Sequence, residues 1–312
     1  MHVRVLGSAA GGGFPQWNCA CPNCRSFRAG TFRGKARTQA QLAISADAEH
    51  WFLLGASPDL RAQIEATPAL HPRAITNSTR HSPIAGAVLL NTDIDHVLGL
   101  LLLRELQPLS VYATKSVCRI LTDDNSMFAM LQRVPDQISW NEFAPGTPFS
   151  LLTPNEENSK LRCRAIPLGT HFPAYVSEPR RAQLSPAESS LGLIVGSPSG
   201  RRLAFMPAVP QIDDVLFQVL ESADVILFDG TFWNDDELIR LQGSGQNAHD
   251  MGHVAVSSPE GSLEKLAHLR HPRKIYMHIN NTNPMLNEDS LEHRQVREAG
   301  WEIAEDGWQF EL

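Results

Sequence analysis

Residues 91–96 (NTDIDH) have side chains whose types and spacing suit metal chemistry. They follow an apolar stretch and precede a predicted helix, which is the position of a metal-binding loop at the end of a buried strand. A loop of the form HxHxDH would hold two metal ions. This loop keeps the last pair, Asp95 and His96, but has Asn91 and Asp93 where the two earlier histidines would stand. The sequence therefore predicts one metal ion at this loop.

His278 is the predicted third ligand, because it ends the strand-like run IYMH. Two imidazoles and one carboxylate leave coordination positions open, an arrangement that non-haem Fe(II) centres use to bind O₂ and substrate together. Zn²⁺ on the same ligands would instead activate water. A plainer interpretation also exists, in which His278 caps a strand by hydrogen bonding and Asp95 is a helix N-cap.

Cys19, Cys21 and Cys24 form a second group that predicts metal binding. Three thiolates this close converge readily on one Zn²⁺, which needs a fourth ligand from far along the chain. A redox pair is the alternative, although clustered thiols in a chain without a signal peptide are more often metal ligands. The preceding glycine-rich residues 11–15 lack the Lys-Ser/Thr ending of a phosphate-binding loop and predict a turn at the mouth of a pocket.

The elements that must position these residues are short apolar strands alternating with helices. The chain has 312 residues, 42% hydrophobic and 20% charged, enough for one large α/β domain. We expect two mixed sheets packed face to face with helices outside both, a four-layer αβ/βα sandwich. Residues 97–106 are predicted as an apolar helix, and residues 172–190 as an irregular insertion able to cover a site.

Charge and hydropathy narrow the class of partner. A net charge of −7 and a pI near 5.9 argue against a nucleic-acid surface. The sequence has no apolar stretch long enough to cross a bilayer, so we expect no membrane partner and a cytoplasmic location. The apolar helix 97–106 would face either the core or a second copy of the chain, so a homodimer stays open.

The order of these motifs resembles the metallo-β-lactamase fold superfamily. The opening GSAAGGGFPQWNCACPNC, the NTDIDH loop and the closing HINNTNP are more closely similar to the coenzyme PQQ synthesis protein B family. The resemblance covers the whole chain and implies a single metallo-β-lactamase-like domain, residues 1–312. Within it we expect an N-terminal zinc-binding loop at about residues 11–25 and the insertion at about residues 172–190.

The resemblance also implies roles for individual residues. Asp95, His96 and His278 match the second metal site of the superfamily, and Pro207 stands where a bridging aspartate would follow a strand. The fourth zinc position falls on Asn281, although an amide oxygen is an unusual zinc ligand and another group is an alternative.

Three further residues are candidates for contacts with the substrate or for proton transfer. Asp93 would orient a metal-bound water or accept a proton, or else be an exposed loop carboxylate. His171 lies near the position of a third histidine of the lost site, and His253 follows a glycine; both are alternatively ordinary surface histidines. Asp229 is predicted to be a buried structural carboxylate behind the site.

The activity that the resemblance implies is hydroxylation by Fe(II) and O₂ of the tyrosine in a modified Glu-Tyr precursor of pyrroloquinoline quinone (PQQ). Zn²⁺ would be the structural metal and Fe²⁺ the metal of the active site, where other divalent ions would also bind. A carrier that transports PQQ or its precursor to the periplasm is the alternative, and a single-metal hydrolase is a further one.

Overall fold

A computed structural model describes residues 1–74, 78–105, 107–135, 137–243 and 245–312. Its strands are β1 (His2–Gly7), β2 (Gln41–Ser45), β3 (Trp51–Leu54), β4 (Ile84–Val88), β5 (Leu109–Ala113), β6 (Ile138–Glu142), β7 (Pro148–Leu152), β8 (Asn158–Gly169), β9 (Ser190–Gly196), β10 (Arg202–Met206), β11 (Val225–Asp229), β12 (Arg273–Met277), β13 (Trp301–Ile303) and β14 (Gln309–Glu311).

The α-helices are short, each of four to eight residues. The α-helices are α1 (Pro22–Arg28), α2 (Leu60–Glu65), α3 (Ile94–Val97), α4 (Lys115–Thr122), α5 (Glu178–Arg181), α6 (Asp214–Glu221), α7 (Glu237–Gln242), α8 (Ser262–Lys265) and α9 (Leu291–Glu298). Short 3₁₀ helices span Pro68–Leu70, Leu98–Leu103, Phe128–Gln132, Pro186–Glu188, His249–Met251 and Pro284–Leu286. Among the described residues, no helix combines the length and apolar character that a membrane crossing requires.

The chain divides into two compact units. Unit 1 comprises Met1–Leu6, Gln41–Arg201 and Gly307–Leu312, and unit 2 comprises Gly7–Ala40 and Arg202–Asp306.

Unit 1 is built on a mixed sheet in the order β14-β1-β2-β3-β4-β5-β6. Strands β3 to β6 run parallel, whereas β1 with β14 and β2 with β3 pair antiparallel. Every residue of β2, β3 and β4 is buried, as expected of strands that are covered on both faces. Strands β7, β8 and β9 form an antiparallel meander in the same unit.

Unit 2 contains four parallel strands in the order β13-β12-β11-β10. Tyr276 of β12 stacks on Trp301 of β13 with ring centroids 4.1 Å apart, and Phe228 of β11 meets Trp301 edge-on. Parallel strands bring their carboxyl ends to one edge of the sheet. Asp229 therefore ends β11 beside the end of β12, where His278 follows.

Residues 97–106 do not form the single α-helix that was predicted. Val97 ends α3, residues 98–103 form a 3₁₀ helix, and Leu106 lies outside the described residues. Gly99 explains the tighter winding, because a Cβ there would lie 2.2 Å from the carbonyl oxygen of Ser57. The amide of Gly99 also donates to the carbonyl of Ala56, so close backbone contact replaces regular α-helical turns.

The insertion at residues 172–190 has more order than its composition suggests. It contains α5 and a 3₁₀ turn. Phe172, Val176 and Leu184 form a buried cluster with Ile120 of α4, and the hydroxyl of Tyr175 donates to the carbonyl of Thr92. Within unit 1, the insertion thus packs against α4 and contacts the predicted metal loop.

Candidate metal and catalytic sites

In unit 1, the loop after β4 places Asp95 and His96 side by side. The amide of Asp93 donates to Oδ1 of Asn91 at 3.2 Å, which turns the chain into α3. Asp93, not Asp95, is the N-cap residue of that helix, and its side chain makes no capping hydrogen bond. Oδ2 of Asp95 lies 3.6 Å from Nε2 of His96, whose side chain is 6% exposed.

This spacing fits two ligands of one ion. Ligand atoms about 2.1 Å from a metal lie roughly 3 to 3.5 Å apart when they occupy neighbouring coordination positions. The two side chains therefore need little movement to share a metal. That His278 completes their ligand set stays a prediction.

The other candidates in unit 1 are more exposed. Asp93 is partly exposed and lies in the loop itself. His171 is exposed, next to the buried Phe172 that anchors the insertion. Among the described residues His171 has no hydrogen bond or ion pair, so no contact supports or contradicts its predicted role.

In unit 2, Asp229, Thr231, His253 and His278 form one hydrogen-bonded group, which we call the histidine cluster. Oδ2 of Asp229 lies 2.7 Å from Nδ1 of His253 and accepts the amide of Val209 at 2.8 Å. Oδ1 of Asp229 accepts the hydroxyl of Thr231 at 2.6 Å and its amide at 3.0 Å. Nδ1 of His278 lies 2.8 Å from that same hydroxyl oxygen.

The carboxylate of Asp229 is the electrostatic centre of this cluster. It is fully buried, and burial alone would raise its pKa. The neighbouring His253 and His278, together with the hydroxyl of Thr231, outweigh burial and hold the pKa of Asp229 below its ordinary value. The predicted role of Asp229, a buried structural carboxylate, agrees with these contacts.

His278 has an unusual backbone conformation. Its φ is +56°, in the left-handed region that few side chains other than glycine adopt. The surroundings hold it there, because its carbonyl oxygen lies 2.8 Å from the hydroxyl oxygen of Thr231 and the next amide, of Ile279, donates to the carbonyl of Ser8. A strained residue at a strand end is a frequent feature of functional sites.

Thr231 is the residue that sequence analysis missed. It lies within the run DGTF, residues 229–232, at the end of β11. A threonine two residues after a strand-ending aspartate is a signal for a local side-chain turn. The signal gives no indication that the hydroxyl also reaches His278, 47 positions further along the chain.

The three cysteines and Asn281 form a second group in unit 2, the cysteine cluster. Cys21 is the N-cap of α1, with Pro22 at the first helical position, and its sulfur accepts the amide of Cys24. The side-chain nitrogen of Asn281 lies 3.1 Å from Sγ of Cys19, 3.4 Å from that of Cys24 and 3.6 Å from that of Cys21. Asn281 thus occupies the face of the cluster where a fourth ligand would stand.

The cysteine cluster fits a tetrahedral Zn²⁺. Zn–S bonds of about 2.3 Å require sulfur atoms roughly 3.8 Å apart, and the three sulfurs lie within 4.8 Å of one another. Burial acts to raise the pKa of Cys19, but hydrogen bonds from Cys21, Cys24 and Asn281 outweigh it and lower that pKa. Burial raises the pKa of Cys21 to about 12. A divalent cation bound here would displace the thiol protons.

Comparison with known proteins identifies the family. Residues 50–279 match the model of the β-lactamase superfamily domain. Coenzyme PQQ synthesis protein B from Pseudomonas entomophila is 42% identical over the full length of both chains, and that from Nitrosococcus oceani is 42% identical over 98% of each.

Solved structures agree with the sequence matches. The crystal structure of zinc-bound PqqB from Methylobacterium extorquens superposes with a TM-score of 0.90 at 38% identity, over all of both chains. A diphosphatase of the PhnP family has a TM-score of 0.66 at 17% identity, over 100% of this chain and 97% of its own, and shares the fold alone. The predicted fold class, a four-layer αβ/βα sandwich of the metallo-β-lactamase type, is confirmed. The chain belongs to the coenzyme PQQ synthesis protein B family.

Proposed function

We propose that this protein is an iron-dependent hydroxylase that adds oxygen to the tyrosine of a Glu-Tyr-derived precursor. Membership in the family assigns the chain to PQQ biosynthesis. The hydroxylase activity, the Fe²⁺ and the partners (the peptide-derived precursor and O₂, with a homodimer as one assembly) are parts of the proposal. So are the single-domain organisation over residues 1–312 and the cytoplasmic location.

The observation that carries the proposal is the donor set. Asp95 and His96 lie 3.6 Å apart in unit 1, and we propose that His278 joins them as a third ligand. Asn91 and Asp93 stand where a second metal would need histidines, and Pro207, which follows β10, has no side-chain donor. Two imidazoles and one carboxylate favour a single metal with open positions, the arrangement of Fe(II) oxygenases.

The net reaction replaces an aromatic C–H bond by C–OH. One atom of O₂ enters the ring, and the other leaves as water after an external reductant supplies two electrons and two protons. When bound, iron supplies the capacity to activate O₂, which amino-acid side chains lack. His253 is suited to proton transfer or to a hydrogen bond with the substrate, because Asp229 holds its Nδ1 at 2.7 Å.

A second metal fits the cysteine cluster. The relative from Methylobacterium extorquens is described as zinc-bound. We propose that Cys19, Cys21 and Cys24 bind a structural Zn²⁺, with Asn281 as the fourth ligand. Amide oxygen and nitrogen exchange places by a half-turn of the side chain, so the oxygen of Asn281 would face the ion.

The test is hydroxylation by the zinc-loaded protein after anaerobic addition of Fe²⁺. A Glu-Tyr-derived precursor and a chemical two-electron reductant are added, and ¹⁸O₂ is admitted. We expect the substrate to gain one labelled oxygen atom, and His278→Ala to abolish this product. The matched control is His271→Ala, an exposed histidine of unit 2, which keeps wild-type turnover. Unchanged turnover in His278→Ala would reject the proposal.

The two alternative functions predict different results in the same assay. A carrier of PQQ or its precursor would bind the compound equally well in Asp95→Ala and would form no product. A single-metal hydrolase would cleave phosphodiesters or thioesters under nitrogen, without O₂ or reductant. Either result would replace the hydroxylase proposal.

A further inference from the structure

We infer that Thr231 is a positioning residue that makes Nε2 of His278 its metal-binding nitrogen. The inference rests on the proposed function, because it assumes that His278 is a ligand. Thr231 touches neither the reacting atoms nor the metal. It acts by fixing which ring nitrogen of His278 carries the proton and how the ring is turned.

Counting protons around the hydroxyl of Thr231 leads to this assignment. Its oxygen lies 2.6 Å from Oδ1 of Asp229, 2.8 Å from both Nδ1 and the carbonyl oxygen of His278, and 3.1 Å from Nδ1 of His253. A hydroxyl has one proton to donate and two lone pairs. The shortest contact is with the buried carboxylate, and hydrogen bonds to an ionised acceptor are the shortest and strongest.

The alternative arrangement is unfavourable. If Nδ1 of His278 were the acceptor, the hydroxyl proton would point at the ring, and the oxygen atoms of Thr231 and Asp229 would face each other without a proton at 2.6 Å. Donation to either oxygen instead leaves a lone pair of Thr231 facing Nδ1. Nδ1 of His278 must then carry the proton, and Nε2 keeps the lone pair that a metal requires.

The carboxylate of Asp229 also orients the imidazole of His253. Nδ1 of His253 lies 2.7 Å from Oδ2 of Asp229, and the rings of His253 and His278 stack at 5.4 Å with 22° between their planes. Asp229 therefore orients His253 directly and His278 through Thr231. The inward-facing atoms of Asp229, His253 and His278 are joined by hydrogen bonds, so we do not assign a metal site to that trio.

The first test observes the proton directly. In zinc-loaded, iron-free protein labelled with ¹⁵N-histidine, NMR distinguishes a protonated from an unprotonated ring nitrogen, and His278→Gln assigns the signals of His278. We expect His278 to carry its proton on Nδ1. A proton on Nε2 in the wild-type protein would overturn the inference, whether or not any Thr231 variant folds.

The second test compares Thr231→Val, which removes the hydroxyl at similar volume, with Thr231→Ser, which keeps it. The readout is Fe²⁺ affinity, measured anaerobically by competition with a chelator on zinc-loaded protein. Removing such a partner of a metal ligand weakens metal binding by about 10- to 100-fold. We expect this loss in Thr231→Val, with the proton of His278 no longer confined to Nδ1, and affinity within about threefold of wild type in Thr231→Ser.

Two results would contradict the inference, namely wild-type Fe²⁺ affinity in Thr231→Val or an equal loss in both variants. These failures are separable from failure of the proposed function. If the wild-type protein forms no labelled product while Thr231→Val shifts the proton and weakens Fe²⁺ binding, the hydroxylase assignment fails and the positioning role stands. If His278→Ala abolishes both turnover and Fe²⁺ binding while Thr231→Val matches wild type, the positioning role alone fails.

Discussion

The cysteine cluster and the histidine cluster of unit 2 hold the two ends of one short segment, residues 278–281, by different chemistry. The cysteine cluster surrounds Asn281 with three sulfur atoms contributed by one stretch of the N-terminal loop. The histidine cluster holds His278 through oxygen atoms of Asp229 and Thr231, which lie at the end of β11. Three sulfur atoms are suited to enclosing a zinc ion, whereas oxygen atoms that hydrogen-bond one ring nitrogen are suited to orienting the imidazole.

The two clusters would contribute to the protein in different ways. A closed set of thiolates contributes folding energy when Zn²⁺ binds. A carboxylate and a hydroxyl that hydrogen-bond imidazoles fix the orientation of the rings. Such a cluster contains a buried charge, which destabilises the fold unless it stays paired. Substitutions in the two clusters should therefore have different effects on zinc content and on the free energy of unfolding.

The largest effect is expected at the cysteine cluster. Cys24→Ser removes one of three thiolates, so we expect the bound zinc at this site to be lost and the free energy of unfolding to fall by on the order of 5 kcal/mol. Metal analysis and urea unfolding measure both effects. Cys118→Ala, a buried cysteine outside the cluster, should keep the zinc content of the wild type. Full zinc content in Cys24→Ser would show that the cluster is not the zinc site.

Asp229→Asn should destabilise the protein without removing that zinc. The amide would place a donor against the amide of Val209 and break the buried contact with His253, at a cost of about 3 to 5 kcal/mol. Asp236→Asn, in a surface pair with Arg240, is the control and should change unfolding by less than about 1 kcal/mol. Equal urea midpoints for the two variants would contradict a structural role for Asp229.

The buried carboxyl of Glu237 contacts Thr282, which follows the segment 278–281. We expect it to make the stability of the protein depend on pH. Its carboxylate accepts the amide of Trp233 at 2.6 Å and the hydroxyl of Thr282, and burial raises its pKa to about 7. A carboxyl whose pKa is raised in the folded state binds its proton more tightly there, so its contribution to stability is complete below about 4.5 and is lost as the pH rises through about 7.

Glu237→Gln should remove this dependence. We expect the wild-type free energy of unfolding to fall by about 1 to 3 kcal/mol more than that of the variant between pH 5 and pH 8. Asp229 has the opposite sign, since its lowered pKa gives stability that is lost only as the pH falls below its ordinary value of 3.8. Parallel pH profiles for wild type and Glu237→Gln would rule out the shift at Glu237.

Asn281→His is expected to have the smallest effect, and it tests directly whether position 281 is a ligand position of the cysteine cluster. Imidazole is a better zinc ligand than an amide, so the variant should bind Zn²⁺ roughly tenfold more tightly, about 1.4 kcal/mol. Competition with a chromophoric chelator measures this gain. Asn283→His, whose amide side chain contacts Gly230 and Met285 rather than sulfur, should show none. A loss of affinity in Asn281→His would show that position 281 is not a ligand position.

Residues close in sequence were predicted well, and residues joined only by folding were not. The cysteine cluster and the Asp95-His96 pair are readable because each consists mostly of neighbours along the chain. The end of a strand-like run pointed to His278, and the family resemblance supplied His253 and Asn281. Thr231 could not be found, because its role depends on the parallel register that places the end of β11 beside the end of β12.

The fold shows the same limit. The mainly apolar runs at residues 41–45 and 51–54 predict strands, and these bounds match the buried β2 and β3 to the residue. The sequence predicts no strand at β6, β7 or β14, because half-exposed or exposed residues interrupt their patterns. The helix over residues 97–106 was mispredicted because an apolar run does not reveal that Gly99 must approach the backbone of Ser57.

The left-handed backbone of His278 implies a trade-off between durability and activity at this position. A side chain with φ near +56° costs about 1 to 2 kcal/mol relative to glycine, so replacing His278 by glycine would relax the chain while deleting the imidazole that we propose as a metal ligand. Selection for stability alone would remove this imidazole. Under the proposed role, its presence marks a position where stability is given up for metal binding.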